Sequence, residues 1–390
     1  LPDAPAGAKG ISLFLVPKFI PNDDGSLGER NDCIATALEH KIGIHASPTC
    51  VMSFGDNEGA IGYLVGQEHQ GLACMFTMMN NARLTVGLQG VAIAERAYQQ
   101  ADQFARERVQ GHTVLGATAI IGHPDVQRML MTIQSLTQAG RALAYGACAL
   151  VDRERVDREK ADQDQSALEN TGLDEKRRLQ RRVGVLTPMV KGWCTEMAQE
   201  AVSLAVQIHG GMGFIEETGV GQYFRDARIL PIYEGTNGIQ AMDLIGRKTL
   251  SDHGLGMFEL IVEMRGFAAR LNPSEELSAE LIELFAASVK ALSAAVSYVL
   301  NNAGNKILIG SIAFNYLLLA STVTAAWQML RAAEIAQQRL AKGDERAPFY
   351  RAKLDSCRFF VGQILPRYLG YAYALNSAEQ CLAAQHADGC

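Results

Sequence analysis

Leu84, Leu88, Val91, Ala94, Tyr98 and Ala101 follow one another at steps of three or four residues, the spacing of one face of a long amphipathic helix. That period governs the chain from about residue 72 onward. It predicts a second helix over roughly 125 to 156 and a third over about 174 to 208, with the polar stretch DQDQSALENTGLD between them. Thr187-Pro188 falls inside the third pattern and marks either a new N-cap with Pro at the first helical position or a kink. A glycine of HGGMGF, Gly210 or Gly211, suits the left-handed residue that closes that helix. A shorter helix follows Glu-Gly-Thr at 234 to 236. Residues 251 to 390 read as four more, with LNPSEE (Asn272, Pro273, Ser274) as a cap and AKGDERAP as a break. The most apolar run, ILIGSIAFNYLLLASTV at 307 to 323, is interrupted by Ser311, Asn315 and Tyr316. It is shorter than the ~20 residues of a membrane span, so it reads as a buried helix and no integral span is expected.

The first seventy residues have a different texture. KGISLFLVPKF (9 to 19), CIATALEHKIGI (33 to 44) and TCVMSFGDN (49 to 57) are short β-rich runs separated by turn clusters such as PNDDGSLGERND, the pattern of an antiparallel sheet. Three strands leave an open edge. With the loop-like opening LPDAPAGAKG, they suggest a piece of a longer protein whose earlier strands precede it. The fold expected is mainly α: part of an antiparallel β-domain (1 to 72), a four-helix bundle (73 to 250) and an additional C-terminal helical domain (251 to 390). A length of 390 residues exceeds one compact core. Charged residues are 20% of the chain, below the ~25% of average soluble proteins, so surface buried between domains or subunits is expected. The net charge of −6, without a basic patch, excludes a nucleic-acid partner. Eight scattered cysteines with no C-x-x-C and no zinc-like spacing predict free thiols, no metal and a reducing, cytoplasmic setting.

The chain contains no P-loop, no G-x-G-x-x-G at a strand-to-helix turn, no H-E-x-x-H and no G-x-S-x-G, which disfavours nicotinamide-Rossmann, P-loop, zincin and α/β-hydrolase chemistry. Three features remain. QIHGGMGF (207 to 214) is either a glycine-rich C-cap or a place where free backbone N–H groups meet an anion. Arg106 and Arg108 in FARERVQGH either complement a helix C-terminus or grip phosphate. Glu234 stands among Ile229, Leu230, Pro231, Ile232 and Tyr233. It is either an ion-paired turn residue or a base whose pKa is raised above the usual ~4.3 by desolvation.

Taken in order, Q-x-x-G-G-x-G-F, R-D-A-R and I-Y-E-G-T-x-x-I-Q, after a helix with an early Arg and a terminal R-x-R-x-x-G, resemble the acyl-CoA dehydrogenase family of flavoproteins over most of residues 1 to 248. PIYEGTNGIQAMDLIGRK and the helices beyond it look most like the long bacterial members, the group that includes 3-methylmercaptopropionyl-CoA dehydrogenases. The resemblance implies FAD and an acyl-CoA substrate oxidised to a trans-2-enoyl-CoA. Glu234 would take the α-proton while flavin N5 accepts the β-hydride, and a flavin ribityl hydroxyl and the Glu backbone N–H would hold the thioester oxygen. It also implies electron transfer to an electron-transfer flavoprotein, and a homodimer. The family's alternative base position, just before the helix arginine, is Ala82 here, which leaves Glu234. By the same resemblance Arg83 and Asn80 would lie near the active centre or the CoA moiety and Tyr233 would line the acyl pocket. Gln207, Gly210, Gly211, Arg106 or Arg108, and Thr236 would meet the flavin. Gly238 stands where many members have a Gln. An acyl-CoA oxidase, or a non-catalytic helical oligomerisation fragment, remain the alternatives.

Overall fold

The computed structural model describes residues 1–57, 59–163 and 171–382. The centre of the expected polar loop DQDQSALENTGLD lies outside the described residues. The chain divides into two compact units, Leu1–Ala82 and Arg83–Cys390.

In the first unit the expected antiparallel pairing is present, but among the described residues it runs in six short strands instead of three, forming three separate two-stranded ladders. β1 (Leu13–Leu15) pairs with β6 (Tyr63–Val65), β2 (Phe19–Pro21) with β3 (Leu27–Arg30), and β4 (Cys33–Leu38) with β5 (Cys50–Phe54). Strands of three residues carry too little alternation to be read from sequence. Asn31 ties the segments together. Its amide donates to the Pro17 and Ile61 carbonyls at 2.9 and 2.8 Å, and its Oδ1 accepts from Ile61 N at 2.9 Å.

The helices come next: α1 (Gly71–Glu107), α2 (Pro124–Gln163), α3 (Thr171–His209), α4 (Val220–Ala227), α5 (Asn237–Met242), α6 (Leu255–Arg270), α7 (Ala279–Asn301), α8 (Lys306–Ala341), α9 (Ala347–Phe359) and α10 (Tyr368–Leu382). α3 runs on through Pro188, without the new N-cap that Thr187 suggested, and the Thr187 hydroxyl donates to Val183 O at 2.9 Å. Tertiary packing outweighs the missing N–H: Val185, Met189, Val190 and Cys194 around it are buried. α3 ends where expected, at Gly210, with φ +58. The cap expected at LNPSEE falls too early. Ser274 accepts from Leu277 N in a turn, and α7 begins after Ser278. The four helices expected beyond residue 251 are five among the described residues, because Pro366 separates α9 from α10 through a π turn (360–364) and a 3₁₀ turn (365–367). α4, only eight residues long, has no counterpart in the sequence reading.

One apolar cluster joins α1, α2, α3 and α5 to α6 through α10. α8 is long and apolar enough, by length and composition alone, to cross a membrane, and 67% of its most apolar window is buried in this cluster. Trp193 donates to Thr322 at 3.2 Å, and Thr249 and Tyr316 share a 3.0 Å hydrogen bond, so these polar atoms of the core are paired across helices. Arg182 grips Glu263 on α6 through both terminal nitrogens at 2.9 Å.

α1 and α3 approach closely at glycines. A Cβ on Gly90 would stand 2.5 Å from the Cys194 carbonyl oxygen, a backbone atom of a buried helix that cannot yield. Gly90→Val is therefore expected to lower the unfolding free energy by at least ~1–3 kcal/mol, the usual cost of overpacking. A urea midpoint equal to wild type would contradict this packing.

Candidate functional site

α4 ends at Ala227, and the loop back to α5 is wound tightly. Tyr233 N donates to Ile229 O at 3.0 Å and Asn237 N to Pro231 O at 2.9 Å, closing residues 231–237 into a ring. Glu234 sits at its apex with φ +60, followed by Gly235 at φ +78. A left-handed backbone on a residue with a long side chain costs ~1–3 kcal/mol and persists only where neighbours enforce it. They do so here. The buried Gln240 donates to Glu234 O at 3.3 Å and Gly235 O at 3.2 Å, and Thr236 caps α5 by accepting from Ile239 N at 3.3 Å.

Glu234 has no ion pair among the described residues. Its Oε1 is buried and has no hydrogen-bond partner among the described residues, and the same holds for Nε of Arg83. Arg83 is fixed by a buried ion pair from Nη1 to Asp243 Oδ2 at 3.1 Å, and Arg247 holds the other Asp243 oxygen at 2.7 Å. Tyr233 donates its hydroxyl to Gln89 on α1, and burial pushes that hydroxyl above its ordinary pKa. The side chain of Asn80 lies outside the described ones.

Beneath the loop Lys191 is completely buried. Burial lowers its pKa to about 8 against the support of Glu196 and Glu234, and Arg83 pushes the same way as burial. Its ammonium donates to Asn237 Oδ1 at 2.9 Å. The Asn237 amide nitrogen donates in turn to Thr195 Oγ1 at 2.9 Å and Glu196 Oε1 at 2.7 Å. Lys191, Asn237, Gln240, Asp243 and Gln89 were not singled out in the sequence. Only Lys191 leaves a trace there, as a lone cation in the apolar face PMVKGWC.

The residues expected to meet a flavin fall into separate places. Arg108, Gly210 and Gly211 line one open cleft of about 620 Å³ with Phe104, Gln110 and His209. Neither glycine position has an atom within 4 Å of where a Cβ would stand, so the backbone there is open to close approach. His209 stacks on Phe104 with ring centroids 4.4 Å apart and donates from Nδ1 to Ala205 O at 2.7 Å. Burial lowers its pKa and favours the neutral ring, leaving Nε2 as an acceptor. Gln207 lies in a second groove with Phe214, Phe224 and Arg225. Arg106 is engaged by Asp102 through two hydrogen bonds of 2.8 and 3.0 Å, which leaves Arg108 as the cation directed at the first cleft. Among the described residues no three His, Cys, Asp or Glu side chains could together hold a metal ion.

Residues 69–250 match the family described as acyl-CoA dehydrogenase, C-terminal domain, and residues 260–385 match acetyl-CoA dehydrogenase C-terminal like. A 3-methylmercaptopropionyl-CoA dehydrogenase of Ruegeria pomeroyi is 44% identical over 93% of this chain and 60% of its own length. A butyryl-CoA dehydrogenase of Syntrophomonas wolfei is 34% identical over 97% of this chain and 62% of its own. The chain thus spans about three fifths of these curated relatives. Among solved structures, an acyl-CoA dehydrogenase of Bacillus anthracis complexed with FAD superimposes with a TM-score of 0.68 at 18% identity, over 94% of this chain and 61% of that one. That likeness shows the mainly helical fold.

Proposed function

The chain belongs to the acyl-CoA dehydrogenase family, and on that premise we propose that it is the larger part of an FAD-dependent enzyme that dehydrogenates an acyl-CoA thioester between its α and β carbons. The observation that carries this reading is Glu234 Oε1: a buried carboxylate oxygen with no partner, on a loop whose strain is enforced by Gln240 and Asn237. A structural glutamate would be paired; one kept unpaired at a strained apex is placed to receive a proton.

Glu234 takes the α-proton at its carboxylate. Bound FAD supplies the acceptor for the β-hydride. Leu230 is buried under the loop and Tyr233 is half-buried against Gln89, while Arg83 is immobilised by Asp243. The cleft of Arg108, Gly210 and Gly211 fits the pyrophosphate of a dinucleotide, since it offers a cation and an open glycine backbone. Thr236 serves as a cap, and a flavin contact there is an addition to that role. The product is a trans-2-enoyl-CoA. The electrons pass to an electron-transfer flavoprotein, and the whole protein acts as a homodimer in the cytoplasm. The six described free cysteines, Cys33, Cys50, Cys74, Cys148, Cys194 and Cys357, suit that compartment.

Anaerobic mixing of the FAD-loaded protein with a panel of acyl-CoAs tests the reading. Rapid bleaching of the flavin by at least one thioester is expected. A flavin that stays oxidised with all of them overturns the reading, and oxygen consumption as fast as transfer to a dye would reassign it as an oxidase.

A further inference from the structure

Lys191 is a buried ammonium without an ion pair among the described residues; its hydrogen-bond acceptor is the neutral amide of Asn237. Such a charge is expensive, and an apolar side chain of the same length would stabilise the fold at least as well. Packing therefore does not explain it. Asn237 is the first residue of α5, and its backbone N–H closes the ring of residues 231–237 onto Pro231 O. Its side chain is held on α3 by hydrogen bonds with Lys191, Thr195, Glu196 and the Gly192 carbonyl. The ring thus rests on the ammonium through Asn237.

We propose that Lys191 is a positioning residue for Glu234: through Asn237 it fixes the loop, and its charge sets the electrostatic potential at the Glu234 carboxylate. The inference rests on Glu234 being the base. The charged groups facing Lys191 are Glu196 on α3, Glu234 itself and Arg83 on α1; Arg83 is in turn matched by Asp243, which also binds Arg247. With Lys191 charged, these three cations and three anions balance. When Glu234 takes up a proton the set becomes net positive, opposite in sign to the charge that develops on the thioester oxygen. Without the ammonium the resting set is net negative, and Glu234 holds a proton more readily. Burial works against that ammonium, lowering its pKa to about 8.

Three variants and two readouts test this. In Lys191→Met the acidic limb of the kcat/KM profile is expected to move up by about one pH unit, the size an adjacent charge typically imposes. Lys191→Arg, which stays charged, is expected to restore that limb. The reciprocal effect needs neither flavin nor turnover: by linkage, Glu234→Gln must shift the Lys191 titration, followed by NMR of ε-labelled lysine, to lower pH. A Lys191→Met profile that superimposes on wild type, or a Lys191 titration unmoved in Glu234→Gln, overturns the proposal. Should Lys191→Met fail to fold, the NMR arm decides alone. Wild-type turnover by Glu234→Gln would instead sink the assignment of the base, an outcome the NMR arm does not depend on.

Discussion

Replacing Glu234 by Gln is expected to slow reduction of the bound flavin by acyl-CoA by about 10²- to 10⁴-fold, the usual contribution of a positioned general base. Stability should barely change. Gln has the same length, and the oxygen it modifies makes no hydrogen bond that the amide would break. The contacts that force φ to +60 come from Gln240 and Asn237 to the backbone and survive the substitution. The discriminating measurement is anaerobic stopped-flow bleaching beside a urea unfolding curve. A flavin reduced within tenfold of the wild-type rate would remove Glu234 from the chemistry. A loss of activity that tracks a loss of folded protein would make the residue structural.

The second large effect concerns Asp243. Asp243→Ala strands the buried Arg83 guanidinium, whose Nε already lacks a partner, and frees Arg247 as well. Removing one member of a buried pair typically costs ~3–5 kcal/mol, because the remaining charge stays desolvated. A drop of that size in unfolding free energy is expected, read from the denaturant midpoint at constant slope. The double variant Arg83→Met/Asp243→Leu should recover much of the stability, since an apolar pair of similar volume fills the space without desolvated charge. A single variant within 1 kcal/mol of wild type, a threshold near the yield of an exposed pair, would mean that Arg83 finds water or another acceptor.

What could be read from sequence was what repeats or clusters. The three- and four-residue steps of Leu84 to Ala101 predict α1, and HGGMGF predicts the end of α3 at Gly210. Glu234 stands out because an acid interrupts a local apolar run. The supports of that acid were invisible for a physical reason: Lys191, Asp243 and Gln89 lie 43, 9 and 145 residues from it in sequence, and only packing of three helices brings them to one place. The false cap at Ser274 has a similar origin, since a Ser after Asn-Pro signals a turn as readily as a helix start. In the β unit each strand pairs with one partner over three to six residues, too short for alternation to declare a register.

The joint between the segment ending near residue 250 and the helices after it has a thermodynamic meaning. α8 inserts Leu317 against Gly192 of α3, and its Thr322 receives the Trp193 hydrogen bond, so the two stretches share one apolar interior. The later helices are therefore a wall of the interior and not an appendage. Heat or denaturant should take residues 83–382 apart in one cooperative step, with calorimetric and van't Hoff enthalpies in agreement. A chain cut at 250 would expose the α8-facing side of α3 and stick to its own kind before it could hold any cofactor.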